Sequence, residues 1–310
     1  MIGRVTLGDT GVSVTRLGLG LASIGGLFEP VDDARAAATI DAAWQNGIRL
    51  FDTAPVYGYG RSEARTGNAL RSRPRDEFVL CTKVGRLIVP GGPDTQPIWA
   101  DPPPGVGPRL DYSYAGVRRS FEDSLQRLGL DRVDVLHVHD PEQDFPRAVT
   151  EAFRALADLR AEGLIGAVSL GVNHADVAAR FLREAPGRVD AVLLAGRYTL
   201  FDRSGEADLL PLCRSRGVSV LAAGVFHSGL LAAPQAGAGV PAVILERAHR
   251  VREICARHSV SPLAAAIQFP FSHPSVAAVV VGARHPGEVA DNADLINHPI
   301  PDQLWHDLGA

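Results

Sequence analysis

The sequence has little cysteine and no excess of positive charge. Its three cysteines, Cys81, Cys213 and Cys255, lie far apart, so a secreted disulfide framework is not expected and a reducing compartment is favoured. Lysine and arginine total 31 against 35 aspartates and glutamates, a formal net charge of −4. This balance provides no basic field for nucleic acid or an anionic membrane. We therefore expect a cytoplasmic protein with a small-molecule substrate, and the sequence does not indicate an oligomeric state.

Targeting and membrane-spanning patterns are also missing. The N-terminal residues show no apolar core followed by a small-residue cleavage site, so no secretory signal is predicted. Residues 217–245 carry no Asp, Glu, Lys or Arg, but glycines, His227, Pro234 and Pro241 interrupt them. A bilayer span needs a continuous apolar run. We interpret this stretch as a strand followed by an active-site loop.

Aromatic residues are few at 6%, yet 46% of the 310 residues are hydrophobic, which is enough for a large core. Short apolar runs with little polar alternation recur along the chain, as in strands buried on both faces. The predicted strands are 17–21, 48–51, 78–82, 133–137, 167–171, 191–194, 219–223 and 277–281.

Helical patterns separate these strands. One helix face carries Val117, Phe121, Leu125 and Leu128. Further helices are predicted over 33–46, 62–71, 149–162, 175–183, 207–216, 246–258 and 287–297. Eight strands alternating with helices predict an α/β fold, a single (β/α)8 TIM-barrel domain over residues 1–310. An open doubly wound sheet is the alternative, but Gly18–Ser23 lacks the third glycine of a GxGxxG turn.

Three segments lie outside this alternation. The turn at Asp9-Thr10-Gly11 predicts a small N-terminal β-hairpin that plugs one barrel mouth. Residues 84–111 and 226–241 are long, irregular and rich in proline and glycine. Loops of this length usually serve binding. Both follow predicted strands, so we expect both at the C-terminal face, where barrel active sites form.

Polar residues stand at three consecutive predicted strand ends. Asp52 ends the second strand, Lys83 the third and His139 the fourth, and Tyr57 follows in the turn after Asp52. An ammonium beside a phenol lowers the pKa of the phenol, a carboxylate holds the ammonium, and an imidazole can hydrogen-bond the same substrate oxygen. The four residues predict a proton donor or acceptor for a carbonyl or alcohol oxygen.

The segments FDTAPVYGYGRSE, TKVG and VHDP resemble the aldo-keto reductase family, and the resemblance runs from about Gly11 to Asn292. It implies an NAD(P)-dependent oxidoreductase that moves a hydride between a nicotinamide and a carbonyl or carbinol carbon. It also implies four residue roles. Asp52 orients Lys83, Lys83 tunes Tyr57, Tyr57 is the general acid or base, and His139 positions the substrate oxygen.

Several positions depart from the pattern of this family. Asp140 follows His139 where a tryptophan is common, and Ala223 stands where a tyrosine stacks on the nicotinamide. The expected contacts to that end of the cofactor are Asn173, Arg197, Phe226, Ser228 and Gly229. The departures resemble the sugar-dehydrogenase branch, which implies oxidation of a cyclic hemiacetal, an L-fucose or D-threo-aldose type sugar, to a lactone. Pyridoxal, also a hemiacetal in water, is the alternative substrate, and Trp99 is the expected substrate contact.

The residues after the last predicted strand bear on cofactor preference. Family members that prefer NADPH grip its 2′-phosphate with a Lys-Ser pair and an arginine, where this chain has Gly282 and Glu288. Arg284 and Asn292 complete the predicted nucleotide contacts. A carboxylate repels a phosphate and accepts from ribose hydroxyls, so we expect NAD to be preferred over NADP. The other interpretation of Glu288 is a solvated first-turn helix residue, and Arg284 is able to bind phosphate.

Two other classes of function are alternatives. His137 and His139 lie two apart on one strand and share a face, the spacing of a metal-binding pair. This allows a zinc-dependent barrel hydrolase, although that hypothesis leaves Tyr57 and Lys83 without a role. A nicotinamide-sensing barrel without turnover is the third class. We expect the reductase chemistry, without a metal.

Overall fold

The computed structural model describes residues 2–227, 229–231 and 242–309. The described chain begins with two antiparallel strands, β1 (Arg4–Thr6) and β2 (Ser13–Thr15). The Thr10 hydroxyl closes the turn between them by donating to the Leu7 carbonyl at 2.7 Å. Leu7 and Val14 are fully buried among aliphatic side chains of the barrel interior. The predicted N-terminal hairpin is thus confirmed, and it closes one mouth of the barrel.

Eight parallel strands form a closed barrel in which the last strand pairs with the first. Their residues are mostly buried; all of Val79–Val84, for example, are buried, as expected of a sheet covered on both faces. The predicted (β/α)8 barrel is confirmed. In chain order the strands are β3 (Leu17–Gly20), β4 (Leu50–Asp52), β5 (Val79–Val84), a separate pair β6 (Arg86–Pro90) and β7 (Val106–Leu110), then β8 (Val135–His139), β9 (Ala167–Val172), β10 (Ala191–Ala195), β11 (Ser219–Ala223) and β12 (Val276–Gly282).

The helices surround the barrel, and the third one shows how the sequence specifies them. The Ser113 hydroxyl accepts from the Gly116 amide, and Gly129 ends the helix in the left-handed conformation, the usual signals for a start and an end. The helices are α1 (Asp33–Gln45), α2 (Arg61–Leu70), α3 (Tyr114–Leu128), α4 (Phe145–Arg147), α5 (Phe153–Ala161), α6 (Ala175–Glu184), α7 (Leu209–Arg216), α8 (Ala242–Arg257), α9 (Pro262–Gln268), α10 (Pro286–Leu295) and α11 (Asp302–Asp307).

Three helical details differ from the prediction. A π-helical turn at Ala148–Ala152 separates α4 from α5, where the sequence predicts one continuous helix. Helices α9 and α11 are not predicted. In α9 the consecutive residues Ala264 to Ile267 are all buried, so the segment has no polar face and shows no helical period.

The prediction that residues 84–111 are an irregular loop is wrong in part. β6 and β7 form an antiparallel hairpin there, and Leu87 and Val89 are buried. Proline in β7 and glycines at the turn hide the strand pattern, because Pro108 is atypical of a paired strand. The second long segment, 226–241, begins with turns after β11, but Ser228 and residues 232–241 lie outside the described residues. In the described part of the chain, no helix has the length and apolar character needed to cross a membrane.

Candidate active site

The carboxyl ends of β4, β5 and β8 bring Asp52, Lys83 and His139 together at one end of the barrel. The Lys83 ammonium donates to Asp52 Oδ2 at 2.7 Å and to the Thr53 carbonyl at 2.9 Å. Both charged side chains are almost fully buried, with 1% of Lys83 and 5% of Asp52 exposed. Charge-assisted hydrogen bonds in such a site are short and strong. The ammonium is therefore held in one position.

Tyr57 reaches this ion pair from the turn after β4. The Lys83 Nζ atom lies 4.7 Å from the centre of the Tyr57 ring. The His139 ring meets the Tyr57 ring edge-on, with 6.2 Å between the ring centres. The turn packs closely on the short helix Ser23–Gly25, since a Cβ atom on Gly25 would lie 2.9 Å from the Tyr57 carbonyl carbon. The structure thus brings all four residues of the predicted tetrad into one cluster.

Neighbouring charges keep the ion pair ionised against the effect of burial. Burial alone would raise the pKa of Asp52, but the Lys83 ammonium and His137 bring that pKa below its usual value. Burial alone would lower the pKa of Lys83, but Asp52 and Tyr57 together raise that pKa above its usual value. Around neutral pH the site therefore holds a carboxylate and an ammonium.

The phenol and the imidazole of the cluster are uncharged around neutral pH. Burial raises the pKa of Tyr57, and the opposing effect of the Lys83 ammonium does not cancel it. Burial lowers the pKa of His139 to about 4, although Asp140 acts in the other direction. From the sequence we expected a lowered pKa for Tyr57. Lys83 does act that way, but the loss of water around the phenol is the larger effect.

Asp140, the residue in place of the family's tryptophan, forms a polar network beside His139. Its Oδ2 accepts from Arg86 at 2.9 Å, and its Oδ1 accepts from the Asn173 side chain at 3.1 Å. The same Oδ2 lies 3.7 Å from His139 Nε2. Burial would raise the pKa of Asp140, but His139, Arg86 and Asn173 lower it, so the group is a carboxylate.

A strained backbone supports this network. Asp140 has a positive φ of 45°, which is uncommon for a residue other than glycine and is often found at functional sites. The Tyr112 hydroxyl lies within hydrogen-bond distance of the carbonyls of His139 and Asp140, at 2.5 and 2.7 Å. Neither Arg86 nor Tyr112 is a site residue in the sequence prediction. The only sequence signal for them is their position at the two ends of the long segment after β5.

Trp99 lies where a substrate contact is expected. It is buried, and its ring centre is 5.5 Å from that of Tyr57. Its indole N–H donates to the Gln96 side-chain oxygen at 2.9 Å. The Gln96 side-chain oxygen is therefore already hydrogen-bonded. The Gln96 backbone amide donates to the Tyr59 hydroxyl. Trp99 therefore presents a fixed aromatic wall next to the phenol of Tyr57.

The structure gives no support to the metal-hydrolase alternative. Within the described residues, the one group of side chains close enough to share an ion is Asp52, Cys81 and His137, and His139 does not belong to it. The Lys83 ammonium already binds Asp52. Burial raises the pKa of the Cys81 thiol well above its usual value, and a thiol has to lose its proton to bind a metal.

Residues 16–309 match the Aldo/keto reductase family. The chain belongs to this family. It is therefore an oxidoreductase that acts on CH–OH groups, and membership implies a nicotinamide cofactor.

This aldo-keto reductase is similar to several characterised proteins. It is 43% identical to pyridoxal 4-dehydrogenase of Microbacterium luteolum, over 97% of this chain and 95% of that protein. It is 40% identical to D-threo-aldose 1-dehydrogenase of Pseudomonas sp, over 96% of this chain and 94% of that protein. The holo structure of an aldo-keto reductase from Bacillus halodurans superposes with a TM-score of 0.84 at 26% identity, covering 100% of this chain and 96% of that one.

The residues predicted to contact the nicotinamide end of the cofactor follow β9, β10 and β11. Asn173 is bound to Asp140, and its carbonyl accepts from Arg197 Nε at 2.7 Å. Arg197 also pairs with Asp202 at 2.7 Å. Phe226 is half-buried and packs on the core, Gly229 has a positive φ with open space beside it, and Ser228 lies outside the described residues. Asn173 and Arg197 thus form a polar edge that adjoins Asp140.

The residues predicted for the nucleotide end lie between β12 and α10. The Arg284 amide donates to Glu288 Oε2 at 2.6 Å, and an Arg284 Nη atom donates to the Leu27 carbonyl at 2.9 Å. The Arg284 Nε atom is buried without a hydrogen-bond partner. Asn292 is buried within α10, and Gly282 packs close to the Ser23 hydroxyl. The Glu29 carboxylate lies 3.9 Å from the Arg284 Nε atom, so protein groups hold the Arg284 guanidinium beside the start of α10.

Proposed function

We propose that this aldo-keto reductase oxidises the cyclic hemiacetal of an L-fucose or D-threo-aldose type sugar to a lactone. The observation that carries the proposal is the buried cluster of Tyr57, Lys83, Asp52 and His139 beside the Asp140 carboxylate. The relatives that are 43% and 40% identical act on pyridoxal and on aldoses by name. Both kinds of substrate exist as cyclic hemiacetals, so one chemistry serves either.

The four clustered side chains divide the proton chemistry among them. Bound NAD(P) supplies the hydride acceptor. The hydroxyl proton of the hemiacetal passes to the phenolate oxygen of Tyr57, and the hydride leaves the carbon that bears this hydroxyl. The C–O bond of the former hydroxyl becomes the lactone carbonyl, and the ring C–O bond remains. Lys83 stabilises the phenolate form of Tyr57, and Asp52 holds Lys83 in place. His139, neutral at the working pH, hydrogen-bonds the reacting oxygen.

The Asp140 network favours a polyhydroxylated substrate. A buried carboxylate near the reacting oxygen accepts hydrogen bonds from hydroxyl groups, and such bonds are stronger than those between neutral groups. Arg86 and Asn173 hold the carboxylate. A sugar places hydroxyls on the carbons next to its anomeric centre, so its ring can reach Asp140 while Tyr57 contacts the anomeric hydroxyl.

Pyridoxal is the second candidate, supported by the 43% identity to a pyridoxal 4-dehydrogenase and compatible with the aromatic wall at Trp99. The Trp99 ring lies 5.5 Å from the Tyr57 ring and is fixed by its bond to Gln96. A flat pyridine ring stacks well on such a surface. The same wall also packs against the apolar face of a sugar, so Trp99 does not separate the two substrates.

The test is absorbance at the reduced-nicotinamide band with NAD or NADP and, in turn, L-fucose, D-arabinose, L-galactose and pyridoxal. Turnover of a sugar with a higher kcat/KM than pyridoxal supports the proposal. A higher kcat/KM for pyridoxal would support the second candidate. Absence of turnover with all four compounds would contradict both and leave the family assignment intact.

We also propose that NAD is preferred over NADP. Glu288 places a negative charge at the start of α10, and Gly282 supplies no cation there. The bond from the Arg284 amide to Glu288 also matches the alternative interpretation of Glu288 as a first-turn helix residue. Comparing kcat/KM for the two cofactors in the wild type and in Glu288→Gln separates these interpretations. A gain for NADP in the variant supports the charge argument, and equal values in the wild type contradict the preference.

A further inference from the structure

His137 is a buried titratable side chain that the proposed reaction does not use. It is 0% exposed and lies behind the tetrad on β8, two residues before His139. Its Nδ1 atom lies 2.8 Å from the Ser169 hydroxyl, and its Nε2 atom lies 3.3 Å from Asp52 Oδ1. Strand register places Lys83, His137 and Ser169 side by side across three neighbouring strands. The imidazole thus bridges Ser169 and the tetrad carboxylate.

One carboxylate oxygen of Asp52 lacks a hydrogen-bond donor, and the imidazole of His137 faces it. Oδ2 of Asp52 accepts from Lys83, but Oδ1 is buried without a hydrogen bond, and so is Nε2 of His137. A buried carboxylate oxygen without a donor is costly. The nitrogen that faces it at 3.3 Å becomes a donor when it carries the ring proton. The Ser169 hydroxyl lies 2.8 Å from both His137 Nδ1 and the Ala191 carbonyl. When its single proton is donated to Nδ1, the ring proton of His137 is on Nε2 and faces Asp52 Oδ1.

We propose that His137 is a positioning residue that donates its Nε2–H to Asp52 Oδ1 and thereby sets how strongly Lys83 stabilises the Tyr57 phenolate. The relay runs from Ser169 through His137 and Asp52 to Lys83. This inference rests on the proposed role of Tyr57 as the proton acceptor. It gives His137, the first histidine of the HxH pair, a role that needs no metal.

The charges around His137 and Tyr57 determine in which direction the relay shifts the pKa of Tyr57. The groups that face His137 are Asp52, Lys83 and Cys81, and the thiol is uncharged. The groups that act on Tyr57 are Lys83, Asp52 and Asp140, with the neutral ring of His139 beside it. A donor on Oδ1 withdraws charge from the Asp52 carboxylate. Without it, Asp52 compensates more of the Lys83 charge, and Tyr57 ionises at a higher pH.

The experiment is the pH profile of kcat/KM for sugar oxidation in the wild type, His137→Leu and His137→Gln. Sugar oxidation needs the Tyr57 phenolate, so kcat/KM rises with pH. Leucine removes the donor to Asp52, so this rise should move to higher pH. Below the rise, each pH unit of displacement lowers the rate roughly tenfold, and the loss should recover at high pH. Glutamine retains an amide N–H near the Nε2 position, and its profile should lie close to the wild type.

Two further variants keep the test decisive if His137→Leu folds poorly by circular dichroism. Ser169→Ala removes the group that fixes the tautomer and should move the profile in the same direction. Thr15→Val is the control, because Thr15 lies on β2 of the N-terminal hairpin and its buried hydroxyl donates to the Leu17 carbonyl. This variant should leave the profile unchanged.

A loss that is equal at every pH, or the same loss in His137→Gln as in His137→Leu, would overturn the relay. Cofactor binding, measured by quenching of tryptophan fluorescence, should not change in either variant. Full activity of Tyr57→Phe would instead contradict the proposed function itself, so the two failures are distinguishable.

Discussion

At the scale of single residues, burial does most to determine the chemistry of this site. The same cluster holds an ionised pair, Asp52 and Lys83, and two neutral groups, Tyr57 and His139. The charges of Asp52 and Lys83 are 2.7 Å apart. For Tyr57 and His139 the loss of water outweighs the nearby charges of Lys83 and Asp140. A phenol that keeps its proton near neutral pH is a ready acid for reduction and needs a higher pH to act as a base.

The first prediction concerns the direction of this pH dependence. Because burial raises the pKa of Tyr57, the fraction of phenolate grows as pH increases above neutrality, and oxidation should accelerate with it. Reduction of the lactone or aldehyde needs the phenol and should slow over the same range. Initial rates in both directions between about pH 7 and 11, a range that passes the ordinary phenol pKa of about 10, check this. Parallel profiles in the two directions would contradict it.

The second prediction is the effect of removing the phenol oxygen. Tyr57→Phe keeps the ring, so its packing against Trp99 is preserved. We expect kcat to fall by roughly 10²–10⁴-fold, the usual contribution of general acid–base catalysis, with cofactor affinity unchanged. Tyr114→Phe is the matched control, because the Tyr114 hydroxyl donates to Asp158 between the outer helices α3 and α5. Comparable losses in the two variants would argue against a catalytic phenol.

The third prediction concerns Asp140. Asp140→Asn keeps the shape of the side chain but removes its charge, and its bond to Arg86 loses charge assistance. If Asp140 accepts from sugar hydroxyls, kcat/KM for the aldose should fall on the order of ten- to a hundredfold, as expected for a hydrogen bond to a charged group. Asp144→Asn is the control, since Asp144 makes only a long surface contact to Arg147 at 3.8 Å. An unchanged kcat/KM in Asp140→Asn would exclude the substrate contact.

At the scale of elements, the tetrad could be predicted from the sequence because strand ends are easy to recognise. Short apolar runs end directly in Asp52, Lys83 and His139, and parallel strands of a barrel place such ends on one face. The Asp140 network could not be predicted in the same way. Arg86 begins the hairpin in which β6 and β7 pair across residues 91–105, and from there it binds Asp140. Pro108 and the glycines make this pairing hard to recognise in the sequence.

The fourth prediction tests how the short helix Ser23–Gly25 positions the Tyr57 turn. In Gly25→Ala the new Cβ would lie 2.9 Å from the Tyr57 carbonyl carbon, and the contact is to backbone. Relief requires the turn to move, so we expect a lower kcat together with a stability loss of about 1–3 kcal/mol. Gly3→Ala is the control, because its Cβ would meet Arg16 at an ordinary 3.5 Å. Wild-type kcat in Gly25→Ala would show that the turn is not held in this way.

At the scale of the whole molecule, the two ends of the barrel differ in how fully their polar groups are paired. The N-terminal end is closed by Leu7 and Val14 of the hairpin. Near it the buried Asp190 carboxylate pairs with Arg160 and Arg188 and accepts from the Val168 amide. The C-terminal end instead carries the strained Asp140, the unpaired oxygen of Asp52 and the hairpin β6–β7. Stability and chemistry are therefore separated along the strand direction, as in other barrels of this type.

The fifth prediction concerns the closure of the barrel. We infer that residues 1–310 form one domain, because the barrel closes through β12 and β3, so its first and last strands depend on each other. The three tryptophans report on separate parts of the chain, Trp44 in α1, Trp99 at the catalytic face and Trp305 in α11. In each variant that retains one tryptophan, the fluorescence of that tryptophan and far-ultraviolet circular dichroism should give the same urea midpoint. A fluorescence midpoint that differs from the circular-dichroism midpoint of the same variant would divide the chain into two folding units.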